Sequence, residues 1–94
     1  MNGDFENFKE QVRSTADMVE IISGYVPLKK KGQNYWGCCP FHGEKTPSFK
    51  VSSAKGIAHC FGCGKTWGPI NFIMERRTLT FVEACQHLGN MYGI

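Results

Sequence analysis

The chain has 94 residues, five cysteines, and a formal charge of +3 from 11 basic and 8 acidic side chains. A chain this short buries only a modest core and usually needs a staple, which excludes a large multidomain enzyme. An odd cysteine count with no apolar N-terminal leader argues against a secreted disulfide framework, and no apolar run reaches the length of a membrane span, so a cytoplasmic protein outside the membrane is expected.

In chain order, Phe5, Phe8, Val12, Ala16, Val19 and Ile22 follow helical spacing, which predicts helix over about residues 5–23. Ser14 and Asp17 can start a second helix within that stretch, and Gly24 can stop it. A hairpin follows, with arms at 26–31 and 34–38 around Gly32-Gln33, and then a second with arms at 48–52 and 57–60 around Ala54-Lys55-Gly56. Pro69 suits the first turn of a helix running to about residue 77. The last helix, about 80–92, begins at Thr80 with Glu83 as its capping-box partner, and Phe81, Cys85, Leu88 and Tyr92 form its buried stripe. Cys85 on that stripe reads as a small buried hydrophobe. The expected class is α+β: a single domain over residues 1–94, with an antiparallel sheet in a ribbon core at about 26–64 and helices at both ends.

Two short turns carry the chemistry. Cys39-Pro40-Phe41-His42 and Cys60-Phe61-Gly62-Cys63 each place two residues between their outer members, and 17 residues separate the pairs. A turn of this kind points two ligands into one volume, so two turns make a tetrahedron. Three thiolates and one imidazole suit zinc, and four protein ligands leave no position for substrate water. One structural Zn2+ held by Cys39, His42, Cys60 and Cys63 is therefore expected, in a small zinc ribbon. His59 could replace His42, but adjacent ligands such as His59 and Cys60 strain a tetrahedral turn, and the same applies to Cys38 beside Cys39. A redox reading of Cys60 and Cys63 wants a thioredoxin-like strand–helix context that the sequence lacks. Zinc adds two charges while three thiols lose three protons, so the metallated chain sits near +2, and the placement of charge matters more than its sum.

Basic and aromatic residues interleave around these turns. Side chains alternate along a strand, so Lys29 and Lys31 share a face, and Lys50 points away from Phe49 and Val51. Lys45 and Lys55 add cations; Tyr35, Trp36, His59 and Phe61 add flat rings. Cations that track phosphates and rings that stack on bases are the parts of a single-strand binding surface. The plain alternative is a solvated strand end with aromatics in the core, and Phe49 and Phe61 each fit either role.

The run Cys39-Pro40-Phe41-His42-Gly43-Glu44-Lys45-Thr46-Pro47-Ser48-Phe49, followed by His59-Cys60-Phe61-Gly62-Cys63-Gly64, resembles the N-terminal zinc-binding domain of bacterial-type DNA primase. Lys29-Lys30-Lys31-Gly32-Gln33-Asn34-Tyr35 looks like the basic hairpin of that family. Phe72-Ile73-Met74 and Phe81-Val82-Glu83-Ala84 look like its following helices, so the likeness covers about residues 8–91. Trp67, Pro69 and Gln33 depart from the family pattern. The resemblance implies recognition of a single-stranded DNA template, in support of RNA primer synthesis at DNA replication. It implies contacts from Lys29, Lys30, Lys31, Tyr35, Lys45, Lys50, Lys55, His59 and Phe61. It also implies partnership with a primase polymerase domain, in the same chain or in trans, and with a replicative helicase in a primosome. Nucleotidyl transfer would belong to that polymerase domain, because the eight acidic residues here form no D-x-D pair. The expected setting is the front of a longer primase, since the end at Met91-Tyr92-Gly93-Ile94 carries no polar tail; the alternative is a stand-alone primase-like ribbon of a phage or mobile element, binding DNA or a replication protein without catalysis.

Overall fold

The computed structural model describes residues 2–43 and 45–94, Asn2 by its backbone alone; Glu44 of the quoted motif lies outside them. The elements run α1 (Asn2–Thr15), α2 (Met18–Ser23), β1 (Lys29–Lys31), β2 (Asn34–Gly37), β3 (Phe49–Ser52), β4 (Ile57–Cys60), β5 (Thr66–Trp67), α3 (Pro69–Arg77) and α4 (Phe81–Tyr92). The class is α+β, a five-stranded antiparallel sheet with helices at both ends of the chain. The chain divides into two compact units, Asp17–Pro69 and Met1–Ala16 with Ile70–Ile94.

The unit Asp17–Pro69 holds the sheet and α2. The apolar periodicity breaks after Thr15, where Asp17 caps α2 by accepting from the N–H groups of Val19 at 3.0 Å and Glu20 at 3.4 Å. Met18, Ile21 and Ile22 of α2 are buried, and the helix packs against β3. The five strands follow one another as a meander in the order β1-β2-β3-β4-β5. Register sorts the side chains into two faces, because partners directly opposite in an antiparallel pair share a face. Tyr35, Val51, Ala58 and Trp67 form one row, with Phe49 and Cys60 beside them. This is the packed face: Phe49, Val51, Ala58 and Cys60 are fully buried and Trp67 nearly so.

The other unit holds α1 and α4, which pack together, and the body of α3. Phe8 presses so closely on Gly89 that a Cβ there would lie 2.6 Å from the Phe8 ring tip. Phe5 meets Phe81 edge-on at 6.3 Å. Val12, Phe72, Ile73, Ala84, Cys85 and Leu88 are fully buried. Thr80 accepts from the Glu83 N–H while the Glu83 carboxylate accepts from the Thr80 N–H, the reciprocal cap that fixes the start of α4.

Candidate metal centre and nucleic-acid face

The two ligand turns hang from the ends of neighbouring strands. Cys60 ends β4, and the turn after it is held by three backbone bonds: Phe61 N–H to Ser48 O at 3.0 Å, Gly64 N–H to Cys60 O at 2.8 Å, and Cys60 N–H to Lys65 O at 3.0 Å. Cys39 follows β2, and Phe41 of its turn stacks on Trp67 at 4.8 Å, with Phe49 a further 5.6 Å from Trp67. The departure from the family pattern at Trp67 thus has a local reason, since this indole anchors the first ligand turn to the packed face.

Cys39, His42, Cys60 and Cys63 converge, one ligand atom from each lying within 4.8 Å of all the others. The Cys39 and Cys63 sulfurs are 3.8 Å apart, which matches the edge of about 3.8 Å that 2.3 Å zinc–sulfur bonds would give a tetrahedron. Cys63 Sγ lies 2.7 Å from His42 Nδ1, closer than such an edge. Cys39 and Cys60 are buried while His42 and Cys63 are exposed, so one side of the cluster faces solvent. Burial pushes the Cys39 thiol up to about 12, against an opposing backbone hydrogen bond from Phe41. Burial also acts to raise Cys60, but hydrogen bonds led by the Cys63 N–H, at 3.3 Å, outweigh it and bring this thiol down. The donor set fits zinc, which takes thiolates and imidazole and would displace the remaining thiol protons. His59 and Cys38 stand outside the cluster. His59 Nδ1 shares a 2.8 Å hydrogen bond with Thr66 Oγ1, and the Cys38 thiol donates to the Lys45 carbonyl at 3.3 Å.

The sheet face opposite the packed one carries a row across all five strands. Lys29, Trp36, Lys50, His59 and Thr66 sit opposite one another in sequence, and Lys31, Asn34, Ser52 and Ile57 form the next row. Phe61, 59% exposed, lies over the first row. Its ring stacks on Trp36 at 6.0 Å and 20°, meets His59 edge-on at 4.6 Å, and has the Lys50 ammonium 5.9 Å from its centre. Lys50, Ser52, Lys55, Ile57, His59, Phe61 and Thr66 line a shallow groove of about 200 Å³.

Of the residues that sequence suggested for nucleic acid, Lys29, Lys31, Lys50, Lys55, His59 and Phe61 are therefore gathered on or beside one face. Lys30 and Tyr35 pair across the opposite face, the ammonium 6.0 Å from the ring centre. Lys45 is exposed in the ligand loop. Trp36, one of the flat rings offered by the sequence, and Thr66, which the sequence did not single out, complete the row. Trp36 was foreseeable, because a two-residue turn at Gly32-Gln33 sets it opposite Lys29; Thr66 had no signal, since its strand is two residues long.

Comparison with known proteins agrees with this geometry. The model of the CHC2 zinc finger family matches residues 5–94. The DNA primase of Listeria monocytogenes is 57% identical over 86 residues, 92% of this chain and 14% of that protein. The DNA primase of Geobacillus stearothermophilus is 49% identical over 85 residues, 90% of this chain and 14% of that one. The crystal structure of the zinc-binding and RNA polymerase domains of the Aquifex aeolicus primase superposes with a TM-score of 0.86 at 41% identity, covering 92% of this chain and 21% of that one. The chain thus spans about one seventh of the length of these curated relatives. With its Cys-His-Cys-Cys cluster on a five-stranded ribbon, the chain belongs to the CHC2 zinc finger family, the zinc-binding domain of bacterial-type DNA primases.

Proposed function

We propose that this domain binds the single-stranded DNA template of a primase through the exposed face of its sheet, in support of RNA primer synthesis in the cytoplasm. Primer synthesis itself would lie with a polymerase domain, the remainder of the primases to which this chain is similar. The observation that carries the reading is the row Lys29, Trp36, Lys50, His59 and Thr66 with Phe61 over it. It supplies ammonium groups for phosphates beside a ring for bases. Lys50 approaches Phe61 closely enough to hold a phosphate next to a stacked base. His59, tethered to Thr66, presents a fixed edge beside the same ring. Lys30 and Tyr35 point away, so in this reading they support the hairpin and do not touch the strand.

One zinc ion, bound by Cys39, His42, Cys60 and Cys63, would cross-link the two turns and fill no catalytic role. Its effect on the face is indirect: the second turn carries Phe61 between Cys60 and Cys63, so fixing both cysteines fixes the ring. No helix among the described residues is long and apolar enough to cross a membrane.

Fluorescence anisotropy with a labelled single strand tests the reading. The zinc-loaded chain should bind at low salt and weaken as salt rises, with a shallow slope set by about two to four phosphate contacts. Lys50→Ala should lower affinity and reduce the salt slope by about one, with zinc retained. Absence of binding at low salt, with zinc bound and the fold intact, overturns the proposal.

A further inference from the structure

Beside the Phe61 groove lies a second, larger one. It measures about 450 Å³ and is lined by Pro27, Leu28, Lys29, Lys31, Trp36, Gly37, Cys38 and Pro47. We propose that it is a second base-accepting subsite, which takes an unstacked nucleobase of the same single strand whose neighbouring base lies on Phe61. This inference rests on the strand-binding reading above and adds the path the strand takes.

Continuity is the first argument. Trp36 belongs to both places: its indole stacks with Phe61 and also forms a wall of the second groove. A strand crossing the sheet from β4 towards β1 therefore meets a ring at Phe61 and then an indole-walled slot. Lys29 and Lys50 flank Trp36 from the two adjacent strands, their backbones about 10 Å apart at the usual strand spacing.

Charge is the second argument. Lys29 and Lys31 lie on the groove and on the exposed face, since register puts both in line with the Trp36 side of the sheet. Neither ammonium has an ion-pair partner among the described residues. An apolar slot walled by an indole, with two unpaired cations beside it, suits a flat ring that carries a phosphate.

The slot is also preformed. Gly37 lets the segment before β1 close onto β2: a Cβ at that position would lie 2.7 Å from the Pro27 carbonyl oxygen and 3.1 Å from Leu28 Cδ2. The Pro27–Leu28 wall is thus seated on backbone and does not need to form on binding. Pro27 and Pro47 add two rigid rings, which lose little entropy when they contact a ligand.

The test is an NMR titration of the zinc-loaded chain with thymidine mononucleotide and with oligothymidylates of two and four residues. The Leu28 methyl groups and the Gly37 amide report the second groove; the His59 and Phe61 ring signals report the first. The tetranucleotide should shift both sets together, with an affinity at least about fivefold above that of the mononucleotide, as a second stacked base provides. Removing one base from the tetranucleotide, to leave an abasic sugar, should return the Leu28 and Gly37 signals towards their free positions at one register only. Lys31→Glu should weaken the tetranucleotide by a larger factor than the mononucleotide. Saturating shifts at His59 and Phe61 with Leu28 and Gly37 unmoved would overturn the second subsite and leave the strand-binding face standing. No shift at either set, with zinc bound, would overturn both.

Discussion

Phe61 and Phe49 lie twelve residues apart, Phe49 at the start of β3 and Phe61 in the ligand turn just after β4, and their truncation should have opposite consequences. Phe49 is fully buried between Trp67 and the packed face, whereas Phe61 is 59% exposed. A phenylalanine presents roughly 200 Å², so about two-fifths of Phe61, ~80 Å², is shielded. At ~25 cal/mol per Å² that is worth about 2 kcal/mol at most, and less after Trp36 and His59 relax into the gap. Phe49→Ala should cost about 3–5 kcal/mol, a large part of the stability of so small a unit. For binding the order reverses. Phe61→Ala should lower single-strand affinity by about 1–3 kcal/mol, on the order of 5–150-fold, because stacking is lost. The assay pairs thermal unfolding by circular dichroism with anisotropy on the same zinc-loaded samples. Equal losses of Tm in the two variants, or full affinity retained by Phe61→Ala, would refute the assignment of this ring to the strand-binding face.

Four further outcomes are expected. Cys60→Ala should lose zinc by elemental analysis and unfold the ribbon, while Cys38→Ser and His59→Ala should keep the ion. Because burial holds the Cys39 thiol at about 12, loading releases its proton, and zinc affinity measured against a chelator should fall as pH is lowered. Gly37→Ala should destabilise the fold by about 1–3 kcal/mol, since the added methyl meets the Pro27 carbonyl and not a movable side chain; denaturant unfolding that matches the parent would contradict this close approach. His87 is lowered by burial and by Arg77, so the folded state binds its proton less readily than the unfolded chain. Stability from this group is present above about pH 6.5 and is lost as pH falls below it. A His87→Gln variant should flatten that acid-side slope in chemical denaturation.

Much of the site could be read along the chain because its determinants are local. A two-residue gap between ligands specifies a turn whatever surrounds it, and both ligand pairs announce themselves that way. The caps at Asp17 and Thr80 are equally local, each a side chain reaching backbone two or three residues on. Alternation separated Lys50 from Phe49 and Val51, and the two-residue turn at Gly32-Gln33 was enough to place Trp36 opposite Lys29.

What the chain order could not decide was anything set across the ligand loop or beyond the end of a strand. Eleven residues separate β2 from β3, so no turn rule aligns Lys50 with Trp36; hydrogen bonding between those strands does. Phe61 follows the last residue of β4, where alternation no longer applies, and its exposure comes from the turn that swings it over the opposite face towards Trp36 and His59. The short β5 had no periodicity to reveal it, yet it supplies the indole that seats the first ligand turn and the hydroxyl that tethers His59. Alternation along β1 by itself sets Lys30 on the other face from Lys29 and Lys31, although the resemblance groups all three as one basic run. Residue types and local spacing determined that a metal site, a basic hairpin and capped helices exist. Only the pairing of distant strands determined which cations and rings share a face, because register is a property of two segments and neither carries it alone.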